Sequence, residues 1–201
     1  IIALKACGKT GMVYKGQKIH EEIVKKGLLE KNVVLGNTLV YMYVGCGLLS
    51  EAQRLLEGLP VRDAISWSTL ISGYTQYGLC IEALNCFEQM EYEGFSPNVV
   101  TFISVLKACG SIGAVDKGKQ IHEKLVRKGL IEKDTMLGTA LVDMYAKCGM
   151  FGKSQLVFEG LLVRNVASWN AVIAGYAQHG QCHKASNCFE QMKIEGLSPD
   201  V

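Results

Sequence analysis

Apolar residues recur along the chain at i, i+3, i+4 and i+7, the spacing of one face of an α-helix. The pattern appears as Phe102, Val105, Leu106 and Cys109, then as Gly138, Leu141, Val142 and Tyr145, then as Trp169, Val172, Ile173 and Tyr176. A second stripe follows each: Gly118, Ile121, His122 and Leu125, then Ser154, Val157, Phe158 and Leu161, then Ala185, Cys188, Phe189 and Met192. Each pair of stripes predicts a helical hairpin. Gly113, Gly149 and Gly180 separate first from second helices, and Gly129 and Gly196 sit where a helix end takes a left-handed residue. Pro97 and Pro199 follow helix ends as stop signals. On this reading Trp67, Phe87, Trp169 and Phe189 are core residues. His20 and His122 fall on second-helix stripes as packed, hydrogen-bonded side chains.

The hairpins themselves repeat. ALKACG at 3–8 returns as VLKACG at 105–110, GNTLVYMYVGCG at 36–47 as GTALVDMYAKCG at 138–149, and NCFEQM at 85–90 unchanged at 187–192. Residues 1–99 laid on 103–201 without gaps share 53 identities, an offset of 102. Self-similarity at a long period is the mark of stacked units, none of which buries its apolar face alone. Aligning the first-helix stripes divides one period into units 99–134, 135–165 and 166–200. The earlier copy reads as a partial unit 1–32 followed by 33–63 and 64–98. The expected fold is all-α: an α-solenoid, or superhelix, of stacked helix-turn-helix repeats with about twelve helices, of either hand by pattern alone.

Composition narrows the class. The 201 residues are 49% hydrophobic and 20% charged, with a formal charge of +2, an ordinary globular balance that excludes a disordered tail. So small a net charge leaves any basic surface to placement. Residues 32–50 and 64–81 carry no charge, yet polar residues and glycines break both, so no membrane span is expected. Residue 1 falls within an apolar pattern, so the sequence reads as starting inside a longer protein. The eight cysteines recur at the 102-residue offset with no C-x-x-C, the pattern of packing residues rather than bridges or metal ligands, and a reducing compartment fits best. His179, Cys182 and His183 have helical spacing but lack a fourth ligand, and Tyr77 and Ile81 replace both histidines in the other copy, so no metal or other cofactor is expected. No paired carboxylates, nucleophile–base spacing or phosphate loop recurs, which argues against an enzyme.

The units resemble pentatricopeptide repeats of the subclass that alternates long (L), short (S) and standard (P) motifs. The resemblance rests on TFISVLKACGSIGAVDKGKQIHEKLVRKGL for the L motif, GTALVDMYAKCG…VFEGL for the S motif and SWNAVIAGYAQHG…ASNCFEQMKIEGLSPD for the P motif, and it spans the whole chain. It implies a modular reader of single-stranded RNA in a mitochondrion or chloroplast, one base per motif. The fifth and last residues of each motif are said to choose the base. Carried over, these are Asn37 with Asp63, Ser68 with Asn98, Thr139 with Asn165, and Asn170 with Asp200. By the family's rule Asn with Asp prefers U, and Ser or Thr with Asn prefers A, giving 5′-UANAU-3′. The L motifs place Ile103 with Asp134 and Ile1 with Asn32, and an isoleucine cannot hydrogen-bond a base.

The resemblance further implies that the second residues, Val34, Ile65, Val100, Met136 and Ala167, sandwich the bases. Lys5, Lys107 and Lys147, on first helices, are the phosphate candidates. The bases of 99–134 on the second helix (Lys117, Lys119, Lys124, Arg127, Lys128) read as a solvated face. The bland alternative for the polar fifth and last residues is helix capping. Within the family this subclass mostly directs C-to-U editing. The chain lacks the H-x-E…C-x-x-C deaminase signature, so the implied role is target recognition. Alternatives are a protein scaffold, with L motifs holding accessory editing-factor proteins, or a reader serving splicing, cleavage or transcript stabilisation.

Overall fold

The computed structural model describes residues 1–30 and 32–198. Among these residues every regular element is a helix. In chain order they are α1 (Ile2–Thr10), α2 (Val13–Lys25), α3 (Val33–Gly45), α4 (Leu49–Gly58), α5 (Ala64–Gln76), α6 (Cys80–Tyr92), α7 (Val99–Ile112), α8 (Val115–Arg127), α9 (Thr135–Lys147), α10 (Phe151–Glu159), α11 (Val166–Gln178) and α12 (Cys182–Ile194). The expected all-α fold of stacked helix-turn-helix repeats is observed. Two compact units make up the chain, Ile1–Val105 and Leu106–Val201, and α7 carries the backbone from one into the other.

The hairpin turns are made by glycine because the backbone there is left-handed. Gly11, Gly47, Gly78, Gly113, Gly149 and Gly180 have φ between +67° and +75°, a region that costs any residue with a β-carbon. After α9, for example, the Met150 amide donates to the Tyr145 carbonyl at 2.9 Å, closing the helix end across Gly149.

In the first unit the odd-numbered helices α1, α3 and α5 pack side by side, and each even-numbered helix folds back on its predecessor. In the second unit α9 packs against both α10 and α11, and α11 against α12. First and second helices thus form two layers. The core between them holds Leu39, Met42, Trp67, Leu70 and Ile71 in one unit and Leu141, Val142, Tyr145, Phe158 and Trp169 in the other, all nearly inaccessible to water.

Helical glycines set how closely these helices approach. A β-carbon on Gly16 would lie 2.5 Å from the Met42 sulfur, and one on Gly118 2.5 Å from the Met144 sulfur. On Gly73 it would meet a Val44 methyl at 2.5 Å, and on Gly175 it would collide with the Ala146 β-carbon. Such glycines cost helix propensity, about 1 kcal/mol each relative to alanine. They are retained where a neighbouring side chain occupies the notch.

The histidines behave as expected. His20 Nδ1 pairs with the Tyr43 hydroxyl at 2.8 Å, and His122 Nδ1 with the Tyr145 hydroxyl at 3.0 Å, each with edge-on ring contact. Burial lowers the pKa of both, with Lys153 adding to the effect at His122, while Glu21 and Glu123 oppose it. Among the described residues no cysteine is in a disulfide. Cys46 and Cys148 sit at equivalent places and direct their thiols to the Cys7 and Cys109 carbonyls, at 3.6 and 3.9 Å.

Two expectations need correction. Phe87 is covered by Phe102, ring centroids 6.2 Å apart, and is buried. Phe189 is only half-buried, with Lys193 Nζ 4.3 Å above its ring. Cys182 is exposed at the start of α12 rather than packed.

The notches make an unequal pair of substitutions. Gly175→Ala presses on a β-carbon fixed to the α9 backbone, so overpacking should outweigh the gain in propensity, for a net loss of about 1–2 kcal/mol. Gly118→Ala meets only the swinging end of Met144 and should change stability by less than about 0.5 kcal/mol. Denaturant melts of both variants check the order. Stability should also fall as the pH drops below about 6.5, since the unfolded chain takes up protons there before the buried histidines do. The His20→Gln/His122→Gln variant should lose less stability between pH 7 and pH 5 than the parent, read from melts at each pH.

Candidate nucleic-acid interface

The residues singled out as base readers fall into two structural classes. The unit-closing residues are helix N-caps. Asp63 Oδ1 accepts the Ile65 and Ser66 amides at 2.9 and 3.0 Å, and the Ser66 hydroxyl completes a capping box on α5. Asn165 Oδ1 accepts the Ser168 amide at 2.9 Å and forms the equivalent box on α11. Asn98 Oδ1 accepts the Thr101 amide at 2.9 Å. Asn32 and Asp134 cap α3 and α9 in the same way. Asp200 lies outside the described residues. Capping explains Asn or Asp at these positions in physical terms, since a short side-chain acceptor must reach back to the first free amides.

The fifth residues are not caps. Asn37, Ser68, Thr139 and Asn170 lie in the second turn of α3, α5, α9 and α11, where no backbone amide is left free. Thr139 and Ser68 donate to the carbonyls four residues back, Thr135 at 2.9 Å and Ala64 at 2.6 Å. The Ser68 and Thr101 hydroxyls lie 2.6 Å apart, and whichever of them donates, the Ser68 oxygen keeps a lone pair. Asn37 Nδ2 donates to both carboxylate oxygens of Asp63, each at 3.1 Å. That geometry fixes the amide's orientation and leaves Asn37 Oδ1 buried without a partner.

The second residues form a consistent set. Val34, Ile65, Val100 and Met136 are each between 55% and 64% exposed, and Ala167 is exposed as well. Each stands one residue into its helix, and water-facing aliphatic side chains at the same place in every hairpin contribute nothing to the core.

In the first unit the two classes meet. A groove of about 330 Å³ runs along α5 and is lined by Ser68 and Asn98, with Ile65 and Val100. Tyr41, Ser72 and Gln76 continue it toward the C-terminal end of α5. The sequence reading named the first four residues and missed the last three. The one signal was divergence between the copies at two of the three: Asp143 stands 102 residues after Tyr41 and Ala174 after Ser72, whereas Gln178 repeats Gln76.

The cationic candidates differ among themselves. Lys5 and Lys107 are exposed. Lys147 is tied to Asp143 at 2.7 Å, an i,i+4 pair whose carboxylate would compete with a phosphate for the ammonium. Gly45 occupies the matching place in the first unit, where a β-carbon would lie 2.5 Å from the Gly8 carbonyl oxygen, so no side chain fits without parting α1 from α3. His179 Nδ1 donates to the Gly175 carbonyl at 3.0 Å, a local structural bond. Among the described residues no group of three or more possible metal ligands stands together, and no helix is long and apolar enough to cross a membrane.

Comparison with known proteins matches the PPR repeat family over residues 62–111 and 164–201, and the PPR repeat over residues 2–28 and 100–130, together more than half of the chain. A chloroplastic pentatricopeptide repeat-containing protein of Arabidopsis thaliana is 39% identical over 197 residues, covering 98% of this chain and 32% of that protein. The chloroplastic protein CRR2 of the same plant is 40% identical over 204 residues, covering 98% and 30%. A mitochondrial one is 39% identical over 196 residues, covering 98% and 31%. The chain thus spans about a third of the length of these relatives, and their compartments agree with the organellar localisation expected from the sequence. Among solved structures, the fold is similar to the pentatricopeptide repeat protein PPR10 in complex with an 18-nt psaJ RNA element, with TM-score 0.81, 22% identity, and 98% of this chain and 30% of that chain covered. PPR10 from maize matches with TM-score 0.68 and 24% identity over 98% and 29%.

Asp63 serves as cap and as partner of Asn37, and substitution separates the two. Asp63→Ala should cost about 0.5–2 kcal/mol through the lost cap. Asn37→Ala should cost less than about half a kcal/mol, because the capped carboxylate keeps its two amides and alanine favours the helix. Urea melts of the two single variants check the ranking.

Proposed function

The chain belongs to the pentatricopeptide repeat family, and on that premise we propose that it binds single-stranded RNA in a base-selective way. The motif frame is L 1–32, S 33–63, P 64–98, L 99–134, S 135–165 and P 166–200. The observation that carries this reading is the groove on α5, where a candidate reading pair, Ser68 and Asn98, lies between two exposed aliphatic side chains, Ile65 and Val100. A flat base slots between aliphatic walls without regard to its identity, and polar groups at the floor then choose among bases.

The hydrogen-bond states support the assignment of bases. At Ser68 the free lone pair accepts, and at Asn98 the amide Nδ2 is left to donate, since its oxygen is spent on Thr101. Adenine offers the complement on its Watson–Crick edge, an amino donor beside a ring-nitrogen acceptor. At Asn37 and Asp63 the available atoms are acceptors, the orphaned Asn37 Oδ1 and the carboxylate. Uracil answers with its ring N–H. The string proposed is therefore 5′-UANAU-3′, the central position being the L motif with Ile103. PPR10, whose fold this chain shares, is an RNA-bound relative. We take the chain to be the recognition array of an organellar C-to-U editing factor, without chemistry of its own. Sparse phosphate contact, with Lys147 paired, implies modest affinity and a small salt slope, about −0.7 per phosphate neutralised.

The double substitution Thr139→Asn with Asn165→Asp installs in the second unit the pair that Asn37 and Asp63 form in the first. Aspartate caps a helix as asparagine does, so the fold should tolerate it. Preference at the fourth base should switch from A to U by about 1–3 kcal/mol. Binding of parent and variant to UANAU and UANUU RNAs reads this directly. Identical ranking of the two RNAs by both folded proteins would leave the polar residues with structural roles alone.

A further inference from the structure

The α5 groove is longer than a base requires. Ser68 and Asn98 hold its N-terminal end, while Ser72 and Gln76 lie one and two turns further along α5, about 6 and 12 Å away at 1.5 Å per residue. There Gly73 and the Val44 side chain packed on it line the groove, together with Tyr41 of α3. Tyr41 is held in place. Its ring edge lies 3.4 Å from where a β-carbon on Gly8 would stand, so the glycine lets the ring rest on the α1 backbone. Tyr41 and Gln76 are both exposed, and Ser72 Oγ lies 2.8 Å from Ser104 Oγ.

The second unit is built differently at the equivalent place. There the stem of Lys147 covers the glycine, its Cδ 3.4 Å from where a β-carbon on Gly110 would stand, and the Lys147 ammonium pairs with Asp143. Asp143 is the counterpart of Tyr41, and Lys147 of Gly45. One unit thus shows an aromatic ring with a phenolic hydroxyl where the other shows an internally neutralised ion pair.

We propose that Tyr41 and Gln76 form a ribose subsite, which recognises the sugar of the nucleotide whose base is read by Ser68 and Asn98 and which confines RNA-over-DNA discrimination to that position. The inference rests on the reading of the groove as a base site. A base that turns its Watson–Crick edge to Ser68 and Asn98 directs its glycosidic bond away from them, and the groove continues from there along α5 toward Gly73 and Gln76. A ribose in that stretch sets an apolar face against the Tyr41 ring. Its 2′-hydroxyl both donates and accepts, as do the Tyr41 phenol and the Gln76 amide. Deoxyribose offers no such group. In the second unit Gln178 repeats Gln76, but the Asp143–Lys147 pair already satisfies itself, so no phenol stands there to complete a ribose subsite.

The test uses the whole chain and three RNAs: 5′-UAAAU-3′, the same strand with one 2′-deoxyadenosine at the second nucleotide, and the same strand with one 2′-deoxyuridine at the fifth, the position that motif 166–200 serves beside Asp143. The parent should bind the second-position deoxy strand about threefold to tenfold more weakly, the worth of one hydrogen bond, and should tolerate the fifth-position one better. Tyr41→Phe with Gln76→Leu keeps the ring and side-chain volume but removes both polar groups. That variant should lose the second-position penalty while still preferring A to U there. Retention of the penalty in the variant, or equal penalties at the two positions in the parent, overturns the ribose subsite and leaves base reading intact. Failure of the parent to bind any of the strands overturns both. Should the double variant melt early, the comparison of the two deoxy strands on the parent alone decides.

Discussion

Close helix approach at glycine notches is the constraint on which the architecture depends. Where α9 meets α11, Gly175 takes the Ala146 side chain, and where α3 meets α5, Gly73 takes Val44. First helices held this close bring their outward faces into line. The exposed aliphatic residues one position into each helix, and the polar residues a turn later, then recur at regular places within each unit. Larger side chains in the notches would move the helices apart and enlarge the spaces in which a base could be held. The packing of the core and the spacing of the candidate surface are therefore one variable within each unit.

Capping does not compete with the proposed base reading, because the two would use different atoms of the same side chains. Asn98 gives its oxygen to the Thr101 amide and retains its amide nitrogen, while Asp63 gives one oxygen to Ile65 and Ser66 and meets Asn37 with both. The cap restricts the position to short acceptors, and within that restriction Asn and Asp present opposite polarity to a ligand. A binary choice of hydrogen-bond character follows from a structural requirement. The buried Asn37 Oδ1 is one of several side-chain atoms without a partner, and the one that lies beside a capping carboxylate.

The two copies are alike where they pack and unlike where they face outward. His20 with Tyr43 and His122 with Tyr145 preserve the same interlayer bond, and Cys46 and Cys148 address the same carbonyl. Tyr41 with Gly45, against Asp143 with Lys147, shows a coupled change. The aromatic ring occupies one glycine surface and the lysine stem the other, so neither partner could be exchanged alone without loss of packing.

The sequence by itself determined the helices, their pairing into hairpins, the glycine turns and nearly all of the core, because helical periodicity is local and each stripe is complete within about two turns. It also marked Ser68, Asn98, Ile65 and Val100 as candidates. Only the tertiary structure placed those four along one groove, since residues some thirty positions apart meet through the packing of α5 beside the start of α7. Only packing showed Phe189 uncovered, Gly45 closed to any side chain, and Tyr41 seated on Gly8. The Asp143–Lys147 pair was within reach of the sequence through its i,i+4 spacing, but its position over Gly110 was not. A stripe records which face of a helix is buried; it carries no information about which neighbour buries it or how near that neighbour comes.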